Sequence, residues 1–160
     1  MKKFLVPLLL FAVLLLSSCG GAQMTELLAF QGENYAAALT FSDGSVTTSV
    51  AVLKDGGAYT FTVDEKYSFL FDGEKHSVSY NGLTVPISVD ALKKSLPQKL
   101  FDALTSSPSD GWTIEDGGAV CICECPTRAL SLHIGKETHA PVKIICGDTV
   151  FDVVRFDAPR

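Results

Sequence analysis

The spacing of hydrophobic and polar residues divides the 160-residue chain into two unlike parts. Residues 4–16 form an apolar run interrupted only by Pro7. This run is shorter than the roughly 20 apolar residues with which a helix crosses a bilayer core. From Tyr35 onward, apolar and polar residues alternate over short runs, which is the period of half-buried β-strands. We therefore expect a short leader segment followed by a β-rich domain.

Turn signals divide the alternating part into strands. Asp43-Gly44, Asp72-Gly73 and Asn81-Gly82 lie between such runs, and pairs of this kind favour tight hairpins. They predict a meander of about six strands before residue 89 and four more strands after residue 118. The domain should therefore be α+β, with about ten strands in an antiparallel sheet and two or three short helices.

Helical periodicity appears in two places. Residues 24–31 predict a short helix, and residues 89–105 predict a helical insert that Pro97 divides. The apolar residues of the insert recur at helical spacing, which predicts that one face packs on the sheet. These residues are Leu96, Leu100, Phe101 and Leu104.

The residues that precede the domain resemble the lipobox of bacterial lipoproteins. Lys2 and Lys3 supply a positive n-region, residues 4–16 have the length of a secretory h-region, and Leu16-Ser17-Ser18-Cys19 completes the pattern. In that family the cysteine receives a diacylglycerol and the signal is cleaved just before it. Two acyl chains are enough for stable anchoring. The alternative is an ordinary signal peptide, with Cys19 as a normal residue of the mature chain.

This resemblance implies a division of the chain into three segments. Residues 1–18 would be a removed signal, residues 19–23 a lipidated tether, and residues 24–160 a single domain containing the 89–105 insert. The protein would be lipid-anchored to a cell membrane on its extracytoplasmic face, facing the periplasm if an outer membrane exists. Cys19 would be the site of lipid attachment.

The order of elements in the domain resembles the LolA/LolB and LppX-like lipoprotein superfamily. The residues that carry the likeness are 67–80, a strand, an Asp-Gly turn and a strand before the insert, and 130–156, which closes the chain. The resemblance implies a curved half-barrel with helices on one face, able to hold an acyl chain or another apolar ligand. Its candidate ligand contacts are Phe61, Phe69, Phe71, Leu100, Phe101 and Leu104. These side chains equally suit a filled core, as aromatic residues on one strand face usually do.

The charge balance narrows the class of partner. The chain has 18 acidic and 13 basic residues and a net charge of −5, and loss of residues 1–18 would remove two lysines. An acidic protein is poorly suited to nucleic acid, where affinity depends on neutralising phosphates. We therefore expect no nucleic-acid partner.

Four cysteines besides Cys19 allow several interpretations. Cys121, Cys123 and Cys125 alternate on one predicted strand and should share a face. Neighbours on that face lie about 6.6 Å apart. Thiolates bound to one zinc ion at about 2.3 Å must lie within about 4 Å of each other, so we predict no metal site. A disulfide is expected outside the cytoplasm, with Cys125–Cys146 the first choice, although four reduced thiols packed as small apolar residues remain an equal alternative.

The sequence contains no arrangement typical of catalysis. His76, His133 and His139 lack a ligand spacing, and no serine or glycine motif of a known enzyme class is present. We therefore predict a protein that is not an enzyme and has no cofactor. It would be a membrane-anchored extracytoplasmic lipoprotein with a binding or carrier role for an apolar ligand. The alternative is a structural or protein-interaction module of the cell envelope with a filled core.

Overall fold

The computed structural model describes residues 23–158. Its elements in chain order are helix α1 (residues 23–27), a 3-10 turn (Ala29–Gly32), β1 (Tyr35–Ser42), β2 (Thr47–Asp55), β3 (Ala58–Val63), β4 (Tyr67–Asp72), β5 (Lys75–Tyr80), β6 (Leu83–Pro86), α2 (Val89–Leu92), α3 (Leu96–Leu104), β7 (Thr113–Asp116), β8 (Val120–Cys125), a 3-10 turn (Pro126–Arg128), β9 (Leu130–Gly135), β10 (Pro141–Cys146) and β11 (Thr149–Asp157). Within these residues no helix is long and apolar enough to span a membrane.

All the strands belong to one antiparallel sheet. Their order is β6-β5-β4-β3-β2-β1-β11-β10-β9-β8-β7, so two meanders meet where β1 pairs with β11. The sheet is curved and does not close, and its edges are β6 and β7. The predicted α+β half-barrel with short helices is confirmed.

The tight turns follow the sequence signals. In the β5–β6 hairpin, Asn81 and Gly82 have φ angles of +50° and +79°. Positive φ at both central positions is the type I′ geometry whose twist matches that of paired strands. Asparagine and glycine are the residues that adopt it at least cost, so this short turn fixes the register Tyr80–Leu83.

The insert links the two edges of the sheet. Strands β6 and β7 are consecutive in the chain but lie at opposite edges, so the segment between them carries α2 and α3 across one face. Ser95 caps α3 by accepting a hydrogen bond from the Gln98 N–H at 3.3 Å. Pro97 lies in the first turn, where it displaces no helical hydrogen bond. The predicted division of the insert into two helices is confirmed.

The core lies between the sheet and the helices. We call the covered side of the sheet, which carries Tyr59, Phe61 and Phe71, the inner face. The buried residues of the core come from both meanders of the sheet and from α1, α2 and α3. The largest fully buried side chains are Phe61, Phe71, Phe151, Met24, Leu92, Leu100, Leu132, Ile134, Ile144, Val50, Val52 and Cys123.

Strand β7 has no counterpart in the sequence prediction. Ile114 is the only aliphatic residue in Thr113–Asp116, and the strand lies at the sheet edge with its remaining side chains exposed. An edge strand pairs with only one neighbouring strand, and its side chains can stay exposed, so it can form with little apolar periodicity. Residues 23–158 therefore form eleven strands where the sequence predicted about ten.

Candidate functional site

The predicted ligand-contact residues come together between sheet and insert. The Phe71 ring lies 5.3 Å from Phe61 and 4.7 Å from Phe101, measured between ring centroids. Phe61, Phe71, Leu100 and Leu104 are each at most 2% exposed, whereas Phe69 and Phe101 are half-buried. These side chains fill the space against one another. An acyl chain at this place would have to displace them.

The inner face continues beyond the helices onto strands β4, β5 and β6. Directly paired residues share a face, and the register joins Tyr67 to Tyr80 and Tyr80 to Leu83, then Phe69 to Val78 and Val78 to Val85. Tyr67, Phe69 and buried Phe71 are every second residue of β4, so all three lie on the inner face. We call this set the open strip: Tyr67, Phe69, Val78, Tyr80, Leu83 and Val85.

The open strip is apolar yet solvent-exposed. Tyr67 is 43% exposed, Tyr80 46%, Leu83 69% and Val85 47%. The rings of Tyr67 and Tyr80 stack with centroids 4.8 Å apart and an angle of 15° between planes, so they form a rigid aromatic step. The part of the inner face nearer to Phe71 has the same composition but is covered by Phe101.

The opposite side of these strands is mostly polar, with Leu70 its one exposed large apolar side chain. Ser79 and Thr84 pair across β5 and β6, with their hydroxyl oxygens 2.7 Å apart. Ser68 bonds in the same way to Thr62 on β3, at 3.0 Å. The polar face and the open strip therefore alternate residue by residue along the same strands. Sequence alternation predicts the strands that carry the strip residues, but it does not show that α2 and α3 leave these residues uncovered.

The edge of the sheet beside the open strip discourages strand addition. Pro86, at the end of β6, has no N–H to offer a further strand, and β6 has only four residues. A partner that contacts this region therefore meets side chains of the inner face more readily than free backbone groups.

The four cysteines of the domain are free thiols on the inner face. Cys125 on β8 and Cys146 on β10 each pair with Leu130 of β9, which lies between them. Two strand spacings separate their Cα atoms by about 10 Å, whereas a disulfide needs at most about 6.8 Å. The structure therefore contradicts the expected Cys125–Cys146 bridge. Strand β9 lies between β8 and β10 in the sheet and keeps the two thiols apart.

Burial makes Cys123 and Cys146 poor nucleophiles. Loss of solvent raises the pKa of Cys123 to about 11, with a smaller contribution from neighbouring Cys121. Burial likewise raises the pKa of Cys146 to about 11. Within residues 23–158, no group of three or more His, Cys, Asp or Glu side chains is arranged to hold a metal ion. Cys123 and Cys146 therefore pack as neutral, weakly polar side chains of the core.

Cys19, the predicted lipid-attachment residue, and the whole signal segment lie outside the described residues. The described chain starts with α1, and the 3-10 turn that follows it lies close to one end of the sheet. The Phe30 ring lies 6.0 Å from the Tyr35 ring and 5.9 Å from the Phe156 ring. The row that contains Tyr35 continues through Lys54 and Tyr59 to Phe71.

Comparison with known proteins gives structural similarity only. No family model matches the chain, and no curated protein sequence matches it. Among solved structures, MucB in complex with MucA(peri) is 13% identical with a TM-score of 0.42, MucB is 13% identical with 0.44, and the MucA/MucB complex of Pseudomonas aeruginosa is 14% identical with 0.46. Each covers 88% of this chain, which spans 56%, 59% and 57% of their respective lengths. The chain thus spans less than two thirds of each of these structures.

Proposed function

We propose that this protein is a membrane-anchored extracytoplasmic lipoprotein whose domain binds a protein partner through the open strip and catalyses no reaction. The observation that supports the proposal is the exposed apolar surface of Tyr67, Tyr80, Leu83 and Val85 on the inner face. Contiguous apolar surface of this kind on a folded domain generally marks an interaction site.

The form of the open strip favours a protein over an acyl chain as its occupant. Apolar small molecules are held in concave sites that bury most of their surface. The strip is instead one exposed face of three strands ending at an open edge. Tyrosines that are held rigid and partly exposed are typical anchors of protein interfaces, and Tyr67 and Tyr80 are stacked in this way. The enclosed space where a carrier would hold its ligand is occupied by Phe61, Phe71 and Phe101.

Phe30, near the start of the described chain, and the open strip lie at opposite ends of the strands. Phe30, close to the start of the described chain, contacts the Tyr35 row, which reaches Phe71 on β4. Tyr67 is four residues further along β4, about 13 Å away. Residues 19–22 can span at most about 14 Å when fully extended. A lipid on Cys19 would therefore hold the Tyr35 end near the bilayer and leave the open strip accessible from the other end.

Site-specific photo-crosslinking in the intact cell tests the partner. A benzophenone amino acid at Leu83, 69% exposed, should give a discrete protein adduct, whereas the same probe at Val154, 68% exposed on β11, should not. Tyr80→Asp should abolish the adduct at Leu83, because a charge in the aromatic step opposes an apolar contact. The purified partner should then bind the Leu83→Asp protein at least about tenfold more weakly than the Val154→Asp control.

Other adducts at Leu83 would contradict the proposal in informative ways. A lipid adduct alone would identify the strip as a ligand site and support a carrier. An adduct with a second copy of this chain would identify a homodimer. Equal adducts at Leu83 and Val154 would mean that the strip has no specific partner.

Fractionation tests the anchor independently of the strip. Cys19→Ala should move the protein from the membrane fraction to the soluble extracytoplasmic fraction, because the acyl chains supply the attachment. A Ser18→Ala variant retains the cysteine and should stay with the membrane. Continued membrane retention of Cys19→Ala would contradict lipid anchoring, whatever the outcome at Leu83.

A further inference from the structure

We propose that a pocket beside α3 binds a phosphate group that carries an apolar substituent. The pocket has a volume of about 690 Å³ and lies between α3 and the turns that follow β8 and β10. We call it the basic pocket; the residues that define it are Lys94, Lys99, Asp102, Arg128, Leu130 and Cys146. The inference uses none of the residues of the open strip.

Three cationic side chains line the basic pocket. Lys94, Lys99 and Arg128 converge here with one lining carboxylate, Asp102, while Asp110 and Asp148 lie outside the lining, against Arg128 and Lys99. Cations gathered at the mouth of a pocket concentrate anions there. Three cations that line one pocket therefore point to an anionic ligand.

Arg128 is held in a fixed orientation with donors to spare. Its Nη1 donates to the Asp110 carboxylate at 2.5 Å, and its Nη2 donates to the Asp102 carbonyl oxygen at 3.1 Å. The Ser107 N–H and then Arg128 hold the pKa of Asp110 below its usual value, so this carboxylate stays ionised as an anchor. A guanidinium has five N–H donors. The remaining donors suit two oxygens of a phosphate group.

The two lysines are weakly committed to other partners. Lys99 Nζ donates to Thr149 Oγ1 at 2.5 Å and lies 3.6 Å from the Asp148 carboxylate, whose side chain is 97% exposed. An ion pair with so exposed a partner is screened by water and contributes little. Within residues 23–158, Lys94 has no hydrogen bond or ion pair. Lys94 is thus free to turn toward a bound anion, and the Lys99 ammonium, which has three N–H donors, keeps one donor beyond these two contacts.

The floor of the basic pocket is uncharged. Ala103 and Leu130 are buried, at 1% and 7% exposure, and the Cys146 thiol is neutral because burial raises its pKa to about 11. The apolar floor below a cationic rim matches a molecule with a phosphate at one end and hydrocarbon next to it. The ligand chemistry is therefore an amphiphilic phosphate, either a lipid headgroup or a soluble phosphate ester.

The fluorescence of Trp112, the only tryptophan of the sequence, can report binding at the basic pocket. Trp112 Nε1 donates to the Ser107 carbonyl oxygen at 2.8 Å, in the loop that holds Asp110 and hence Arg128. Its fluorescence in the full chain, kept in a neutral detergent, should change saturably with hexyl phosphate and more weakly with inorganic phosphate. Hexanol should have no effect, and the affinity should fall as salt is raised.

Charge-removing variants decide the assignment. Arg128→Gln and Lys94→Gln should each weaken hexyl phosphate binding about tenfold, the usual worth of one charge-assisted hydrogen bond. Lys75→Gln, an exposed lysine on β5, should change it less than about twofold. Lys94 has no partner to lose, so Lys94→Gln keeps the test valid if Arg128→Gln destabilises the fold.

Two further arms separate the sources of phosphate. Phosphatidylglycerol in mixed micelles of the same neutral detergent that competes with hexyl phosphate would identify a lipid headgroup as the ligand; competition only by soluble esters would identify a soluble compound. Equal binding of hexanol and hexyl phosphate, or unchanged affinity in both Lys94→Gln and Arg128→Gln, would overturn the proposal. Crosslinking at Leu83 is unaffected by either result.

Discussion

At the scale of single residues, Phe71 is central to the filled interface between sheet and helices. It is 1% exposed, and its ring contacts Phe61 and Phe101 and lies 5.0 Å from the His76 ring. Tyr67 lies on the same strand and the same face but is 43% exposed. One strand thus carries both a core aromatic and an aromatic available to a partner.

This contrast predicts unequal costs of truncation. Phe71→Ala should lower the free energy of unfolding by about 3–5 kcal/mol, because it removes buried contacts and leaves a cavity. Tyr67→Ala is the matched control and should cost less than half as much. Urea denaturation should show a lower midpoint at an unchanged slope. If both substitutions cost the same, the space around Phe71 is loosely filled and could admit a ligand.

Some residue-scale features were beyond the sequence. Alternation along β2 places Lys54 on the inner face with Val50 and Val52, where a lysine is unexpected. The structure buries it to 6% exposure and satisfies its ammonium with the Glu33 carbonyl oxygen at 2.8 Å, beside the Tyr59 ring. Alternation predicts the direction of a side chain. The acceptor that makes burial affordable comes from another segment and has no local signal.

At the scale of elements, α3 depends on its cap as well as on packing. The helix has nine residues, a length at which intrinsic helicity in water is marginal. Leu100, Ala103 and Leu104 bury one face, and Ser95 satisfies the N–H of Gln98. The packing residues and the capping residue all lie within the insert's own sequence, which explains why the insert could be predicted.

Removing the cap gives an element-scale prediction. Ser95→Ala should lower the free energy of unfolding by about 1 kcal/mol, because an N–H in the first turn loses its acceptor. Ser95→Asp restores an acceptor and should recover most of the loss. Thermal unfolding monitored by circular dichroism measures both variants. A loss that Ser95→Asp fails to restore would show that Ser95 stabilises α3 by another contact.

Elements with strong local signals were predicted, and those defined by distant contacts were not. The hairpins of β1–β6 follow from alternation and from turn residues such as Asn81-Gly82. Strand β7 has one aliphatic residue and forms through its pairing with β8. The exposure of the open strip depends on where α2 and α3 cross the sheet, which the sequence of β4–β6 does not contain. The basic pocket likewise could not be predicted, because Lys94 and Arg128 are far apart in the sequence and only the folded chain brings them together.

At the scale of the whole molecule, buried ionisable groups link stability to pH. The pKa values of Cys123 and Cys146 are raised from an ordinary 9.0 to about 11, and that of Tyr35 is raised above its usual value by burial and by Tyr59. Each group is held in its neutral form by the fold. In the unfolded chain the same thiols ionise first, near pH 9.

The sign of the effect follows from these shifts. Between pH 9 and 11 the folded state binds more protons than the unfolded state, so stability is full below pH 9 and falls as the pH rises. Each thiol should contribute a slope of up to about 1.4 kcal/mol per pH unit. Urea denaturation in reductant at pH 8, 9, 10 and 11 should show the fall. The Cys123→Ala, Cys146→Ala double variant should flatten it between pH 9 and 10, and an unchanged slope would contradict the assignment to the thiols.

The pairing of β1 with β11 has a consequence for how the molecule folds. Every other strand pair joins neighbours in sequence through a short turn, whereas this pair joins Phe41 to Phe151 and Ala36 to Asp157. Loop closure of this length costs more entropy than any hairpin in the sheet. Each meander can assemble from local contacts, but the continuous sheet requires both ends of the domain at once. The β1–β11 pairing therefore dominates the contact order of the fold and places the fold among the slower-folding topologies.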